Sequence, residues 1–90
     1  MAIVVVLDMP GMTIEQYDKA DGLLAAAGQR EPDGRTSHVA APTSNGVLVI
    51  DIWESEELFG AFGSVLIPIL QECGIQPSEP RILPMHNYIV

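Results

Sequence analysis

The sequence predicts an α+β fold of four strands and two helices in the order strand, helix, strand, strand, helix, strand. Three observations predict it. The run "IVVVL" near the start is apolar on both alternating faces, as a strand covered on two sides requires. Asn45-Gly46, a strong hairpin signal, separates "SHVAAPT" from "VLVIDIWE". Two stretches with apolar residues at helical spacing lie before and after that hairpin.

Taken in order, residues 2–9 read as a central strand, and "PGMT" as the turn that follows it. Thr13 with Gln16 three positions on forms a capping box, so a helix is predicted over 14–27. Ile14, Tyr17, Ala20, Leu24 and Ala27 make its apolar stripe, and Gly28 ends it. "GQREPDGRT" is the longest irregular segment, polar and expected to be mobile, a connector or a lid. Strands over 36–42 and 47–54 flank the hairpin turn. Ser55 caps the second helix, with Glu56 and Glu57 at the positive end of its dipole. That helix carries Leu58, Phe59, Phe62, Val65, Leu66, Ile69, Leu70 and Cys73 at helical spacing and stops at Gly74. Pro68 within it is expected to introduce a kink. A last strand is predicted over 81–89.

This is the ferredoxin-like βαββαβ pattern, whose right-handed crossovers give an antiparallel sheet of order 4-1-3-2 with both helices on one face. The 90 residues are read as a single domain, 1–90. A chain this short buries a thin core, yet 48% of its residues are apolar. The sheet face without helices is itself largely apolar, so a homodimer through the sheet faces is expected.

Charge and cysteine content narrow the setting. Twelve acidic against four basic residues give a net charge of −8, the wrong sign for nucleic acid or anionic membrane partners. The apolar run from Ala2 to Leu7 is too short for a membrane span or signal peptide. A lone Cys73 on an apolar stripe reads as a buried thiol, and a reducing cytoplasm is the expected location.

With these elements placed, "MAIVVVLDMPGMTIEQYD", "DIWESEELFGAF" and "ILPMHNYIV" resemble the dimeric α+β barrel superfamily over nearly the whole chain. The superfamily includes the antibiotic biosynthesis monooxygenase-like proteins, and "HNY" resembles the ending of small actinobacterial members of unknown role. None of these stretches is a catalytic signature. The resemblance implies a dimeric barrel and a mostly apolar pocket between helices and sheet. It also implies a range of unrelated activities: cofactor-independent oxygenation of polyketide-derived phenols, haem degradation, aldol cyclisation of polyketides, and catabolic isomerisation or lactone chemistry.

The residues themselves offer one polar constellation. If Asn45-Gly46 is a two-residue turn, His38 lies opposite Trp53, with Asp51 and Val49 on the same face. A His beside a carboxylate can take a proton near neutral pH, and Trp53 would wall an aromatic substrate. The competing reading is cross-strand packing, and a one-residue slip of register would disperse the group. His86 and Tyr88 share a face of the last strand, ~14 Å from the His38 strand at ~4.8 Å per strand. His86 is open to three readings: pocket residue, dimer contact or surface. Tyr17, Phe59 and Phe62 are core or pocket wall.

No phosphate loop, Cys/His cluster or nucleophile elbow is present in the sequence, so neither cofactor nor metal is expected. Two functions stay open. The first is a small cofactor-independent monooxygenase or cyclase with a His base, acting on a hydrophobic, aromatic or polyketide-like molecule. The second is a non-catalytic homodimer that binds a hydrophobic ligand or scaffolds a partner. An open pocket reached by His38 or His86 favours the first; a volume filled by Phe59, Phe62 and Leu66 favours the second.

Overall fold

The computed structural model describes residues 1–90. Its elements are β1 (Ile3–Pro10), α1 (Ile14–Ala26), β2 (Arg35–Thr43), β3 (Gly46–Trp53), α2 (Glu56–Glu72) and β4 (Arg81–Pro84). The antiparallel sheet has the order β2-β3-β1-β4, the expected ferredoxin-like arrangement read from the opposite edge.

Alternation along β1 sets the core. Ile3, Val5, Leu7 and Met9 point toward the helices and are buried, while Val4 and Val6 are half-covered on the other face. Val47, Val49, Asp51 and Trp53 of β3 share the inner face. Ala20, Leu24, Phe62 and Leu70 close over them from α1 and α2.

The capping box forms as expected: the Gln16 backbone donates to Thr13 Oγ1 at 3.1 Å, and Gln16 Oε1 accepts from the Thr13 backbone at 2.9 Å. Ser55 accepts from the Leu58 backbone at 3.2 Å. The stripe on α1 is narrower than its periodicity suggested: Ile14 at its first position and Ala27 at its C-cap are exposed. Helix α2 runs continuously through Pro68, where Ser64 and Pro68 both face solvent and the carbonyl freed by proline is open to water. The 28–36 segment is tied down: Gln29 donates to the Leu24 carbonyl, Pro32 is buried, and Gly34 accepts from the Glu54 backbone at 2.7 Å.

Three differences from the sequence reading bear on the site. The hairpin turn is Ser44-Asn45, with Thr43 opposite Gly46, so His38 faces Asp51 rather than Trp53. Gly46 belongs to the ladder because a Cβ there would lie 2.2 Å from the Met9 carbonyl oxygen; its lack of a side chain allows β1 to approach. The register is displaced by two residues, which preserves side-chain faces. Second, a bulge at Thr36 shifts the pairing so that Arg35 lies opposite Trp53 and Ser37 opposite Ile52. Third, β4 ends at Pro84. The pairing of Ile3 with Pro84 exhausts β1 one bond later, at Met85 to the Ala2 carbonyl, and His86, Asn87 and Tyr88 run on exposed.

Candidate active site

Four side chains form a hydrogen-bonded chain across the inner face. Tyr17 from α1 meets His38 Nε2 at 2.7 Å. His38 Nδ1 meets Asp51 Oδ1 at 2.5 Å, and Trp53 Nε1 donates to Asp51 Oδ2 at 3.4 Å. Strand pairing of His38 with Asp51 and the two-residue step from Asp51 to Trp53 produce the sheet part of this arrangement; α1 delivers Tyr17.

Protonation follows from the environment. Asp51 is 2% exposed, and both its oxygens have partners, as a buried carboxylate requires. Burial raises the Tyr17 pKa above its ordinary 10.0, and the Asp21 charge raises it further; Arg35 opposes both. The phenol is therefore protonated at neutral pH and donates to Nε2. With Nε2 accepting, Nδ1 carries the ring proton and donates to Asp51, so the carboxylate fixes the tautomer. The His38 side chain remains 29% exposed, since β2 is an edge strand.

A cavity of about 50 Å³ opens against Tyr17, His38 and Asp51. Met9, Met12, Phe62, Leu66 and Leu70 supply its apolar wall, and Asp21, Arg30 and Arg35 its remaining charges. That volume holds a water or two, well short of the roughly 300–1,000 Å³ of a drug-sized ligand site. A second space of about 510 Å³ lies beside it along Phe59, Gly60, Gly63 and Pro77. The two share Leu7, Leu66 and Leu70, so side chains of α2 divide them.

The expected site residues separate into two groups. Tyr17, His38, Asp51 and Phe62 line the small cavity. Trp53 is fully buried behind Asp51, packed edge-on to Phe59 and tilted against Phe62, so it supports the carboxylate and forms no wall. Phe59 borders the larger space. His86 and Tyr88 reach neither. Arg30 and Arg35 were not singled out by the sequence reading, although two of only four basic residues in one polar loop of an acidic chain were a signal. No group of three or more His, Cys, Asp or Glu side chains is placed to hold a metal ion, and no helix is long and apolar enough to cross a membrane.

No protein-family sequence model and no curated protein sequence matches the chain. Solved structures do. SnoaB, a cofactor-independent oxygenase from Streptomyces nogalater, is similar at 14% identity and a TM-score of 0.63, covering 98% of this chain and 94% of its own. A protein from Chloroflexus aurantiacus, classed provisionally with the antibiotic biosynthesis monooxygenases, is similar at 18% identity and a TM-score of 0.65, covering 98% and 97%. A Deinococcus radiodurans protein of the same provisional class is similar at 15% identity and a TM-score of 0.61, covering 100% and 97%. Nearly end-to-end coverage in both directions excludes a shared fragment. The chain shares the fold of these antibiotic biosynthesis monooxygenase-like structures, a ferredoxin-like βαββαβ unit with a four-stranded antiparallel sheet.

Proposed function

We propose that this protein is a cofactor-independent enzyme of the monooxygenase or cyclase type, which removes a proton from an aromatic, polyketide-like substrate. The observation that carries the reading is His38 held between a buried Asp51 and Tyr17 at a cavity wall. The Tyr17 hydroxyl occupies the Nε2 lone pair, so a substrate proton passes to the Tyr17 oxygen as the tyrosine proton passes to His38. Asp51 then stabilises the imidazolium. The carbanion left behind has two fates. It can attack a carbonyl and form a carbon–carbon bond, with the proton returned to the resulting alkoxide. Alternatively it transfers an electron to oxygen, the radical pair combines to a peroxide, the proton returns there, and loss of water leaves a carbonyl. The similarity to a cofactor-independent oxygenase supports the second route.

In this reading the ring system occupies the larger space, its reacting edge turned toward Tyr17 across the α2 side chains that divide the two spaces. The protein works as a homodimer. Val39, Ile50 and Leu83, on the sheet face opposite the helices, are 56%, 40% and 42% exposed, an apolar surface that a second copy would cover. A charge introduced at its centre, Ile50→Glu, converts dimer to monomer in sedimentation velocity; an unchanged sedimentation coefficient contradicts this interface.

A second reading, a non-catalytic homodimer that binds a hydrophobic ligand, is favoured by the small volume at His38. An oxygen electrode with a panel of polyketide-like phenols and anthrones separates the two. Oxygen uptake lost in His38→Ala, with the fold intact by circular dichroism, supports the enzyme. Saturable binding by both proteins with neither oxygen uptake nor a cyclised product supports the ligand carrier.

A further inference from the structure

Arg35 is an unpaired cation aimed into the cavity. In regular alternation from His38, Thr36 would take the inner face and Arg35 the outer. The bulge at Thr36 reverses this and sets Arg35 opposite Trp53, on the cavity side. Gly34 fixes the approach to the bulge: its φ is +91°, and a Cβ there would meet Leu58 Cδ1 at 2.6 Å. Among the four basic residues, Arg30 is paired with Asp21 at 3.3 Å, whereas Arg35 has no carboxylate partner. Its guanidinium rests 5.9 Å from the Phe62 ring centroid and donates one bond, to the Arg30 carbonyl, leaving its other N–H groups free.

An acidic protein repels anions, so a site where an anion forms needs a local cation. A planar guanidinium whose carboxylate partner is missing suits an oxyanion in particular. We propose that Arg35 anchors the oxygen of a ligand whose ring lies in the adjoining larger space, and that the ligand is an acidic phenol or enol held as its oxyanion. This rests on the cavity being a substrate site. It adds what that reading lacks, a group to stabilise the charge that accumulates when Tyr17 and His38 take the proton.

The test is equilibrium dialysis with para-nitrophenol, whose ionised form is yellow, against para-nitroanisole, its neutral ether. The wild-type protein binds the phenol as phenolate, with yellow absorbance persisting below the phenol's solution pKa, and binds the ether more weakly. Arg35→Gln weakens phenolate binding roughly tenfold or more, the loss of a charge-assisted hydrogen bond, and leaves the ether unaffected. Lys19→Gln makes the same change in net charge at an exposed position of α1 outside the cavity lining and has no effect, which separates the site from the global field. Equal binding of phenol and ether by the wild type, or undiminished phenolate binding by folded Arg35→Gln, overturns the anchor and leaves the cavity reading standing. Binding of neither compound overturns both. The wild-type comparison requires no variant, so it decides the proposal even if Arg35→Gln does not fold.

Discussion

The two edges of the sheet each carry a histidine, and they are built differently. On β2, His38 lies opposite a buried carboxylate, meets a tyrosine from α1 and looks into a cavity. Beyond β4, His86 has run past the end of the ladder and is exposed, with no hydrogen bond to its ring. The residue type is the same, and a neighbouring tyrosine is available to each. What differs is whether the register supplies a partner on the opposite strand. A histidine becomes a candidate base through the groups that orient it, and only the β2 edge provides them.

Activity is where this contrast predicts the largest effect. His38→Ala lowers turnover by roughly a hundredfold to ten-thousandfold, the usual contribution of a positioned acid–base group, while His86→Ala leaves it unchanged in steady-state assays. Equal losses in the two variants would erase the distinction between the edges.

Stability sharpens it next. Trp53→Ala, which empties a fully buried site behind Asp51, costs about 3–5 kcal/mol in chemical denaturation, and Tyr88→Ala less than about 0.5 kcal/mol. Comparable costs would mean that the C-terminal segment is packed after all.

A smaller effect tests the register on which the His38 pairing depends. Gly46→Ala forces a methyl against the Met9 carbonyl and destabilises by roughly 1–3 kcal/mol. Gly22→Ala, at a helical position with open space around the added methyl, is neutral or slightly stabilising. A neutral Gly46→Ala would indicate that β1 does not approach β3 as described.

The smallest effect is a pH dependence. The folded-state pKa of Tyr17 is raised, so the folded form holds its proton at a pH where the unfolded chain has released it. The stability this contributes is full below pH 10.0 and is lost as pH rises from there through the higher folded-state value. Tyr17→Phe therefore flattens the alkaline limb of a stability–pH curve measured by chemical denaturation, and an unchanged limb would contradict the burial of the phenol.

Much of the fold was legible because each element announces itself locally: a two-faced apolar strand, the Thr13 and Gln16 box, the Ser55 cap, and glycines at both helix ends. The inner-face trio of His38, Asp51 and Trp53 was legible from alternation alone, and it survived a mistaken turn because the displacement was even. The direct partner of His38 was not, since Gly46 looked like a turn residue and serves close strand packing. Arg35 was hidden for a related reason. A bulge reverses alternation, and nothing in "GRTSH" signals where the extra residue falls. The role of Tyr17 as the group bonded to His38 needed the packing of α1 on the sheet, a long-range fact that helical spacing does not carry. The last strand was overextended because its length is set by its partner, which begins at Ile3.

The most direct test of the account is the tautomeric state of the two histidines, read from heteronuclear NMR of their ring nitrogens at neutral pH, with His86→Gln to assign the signals. His38 is expected as the Nδ1–H tautomer with Nε2 accepting a hydrogen bond, and His86 as the Nε2–H form that dominates in free histidine. Both rings in the free-histidine state would contradict it, because Asp51 and Tyr17 would then not be holding His38 as a base.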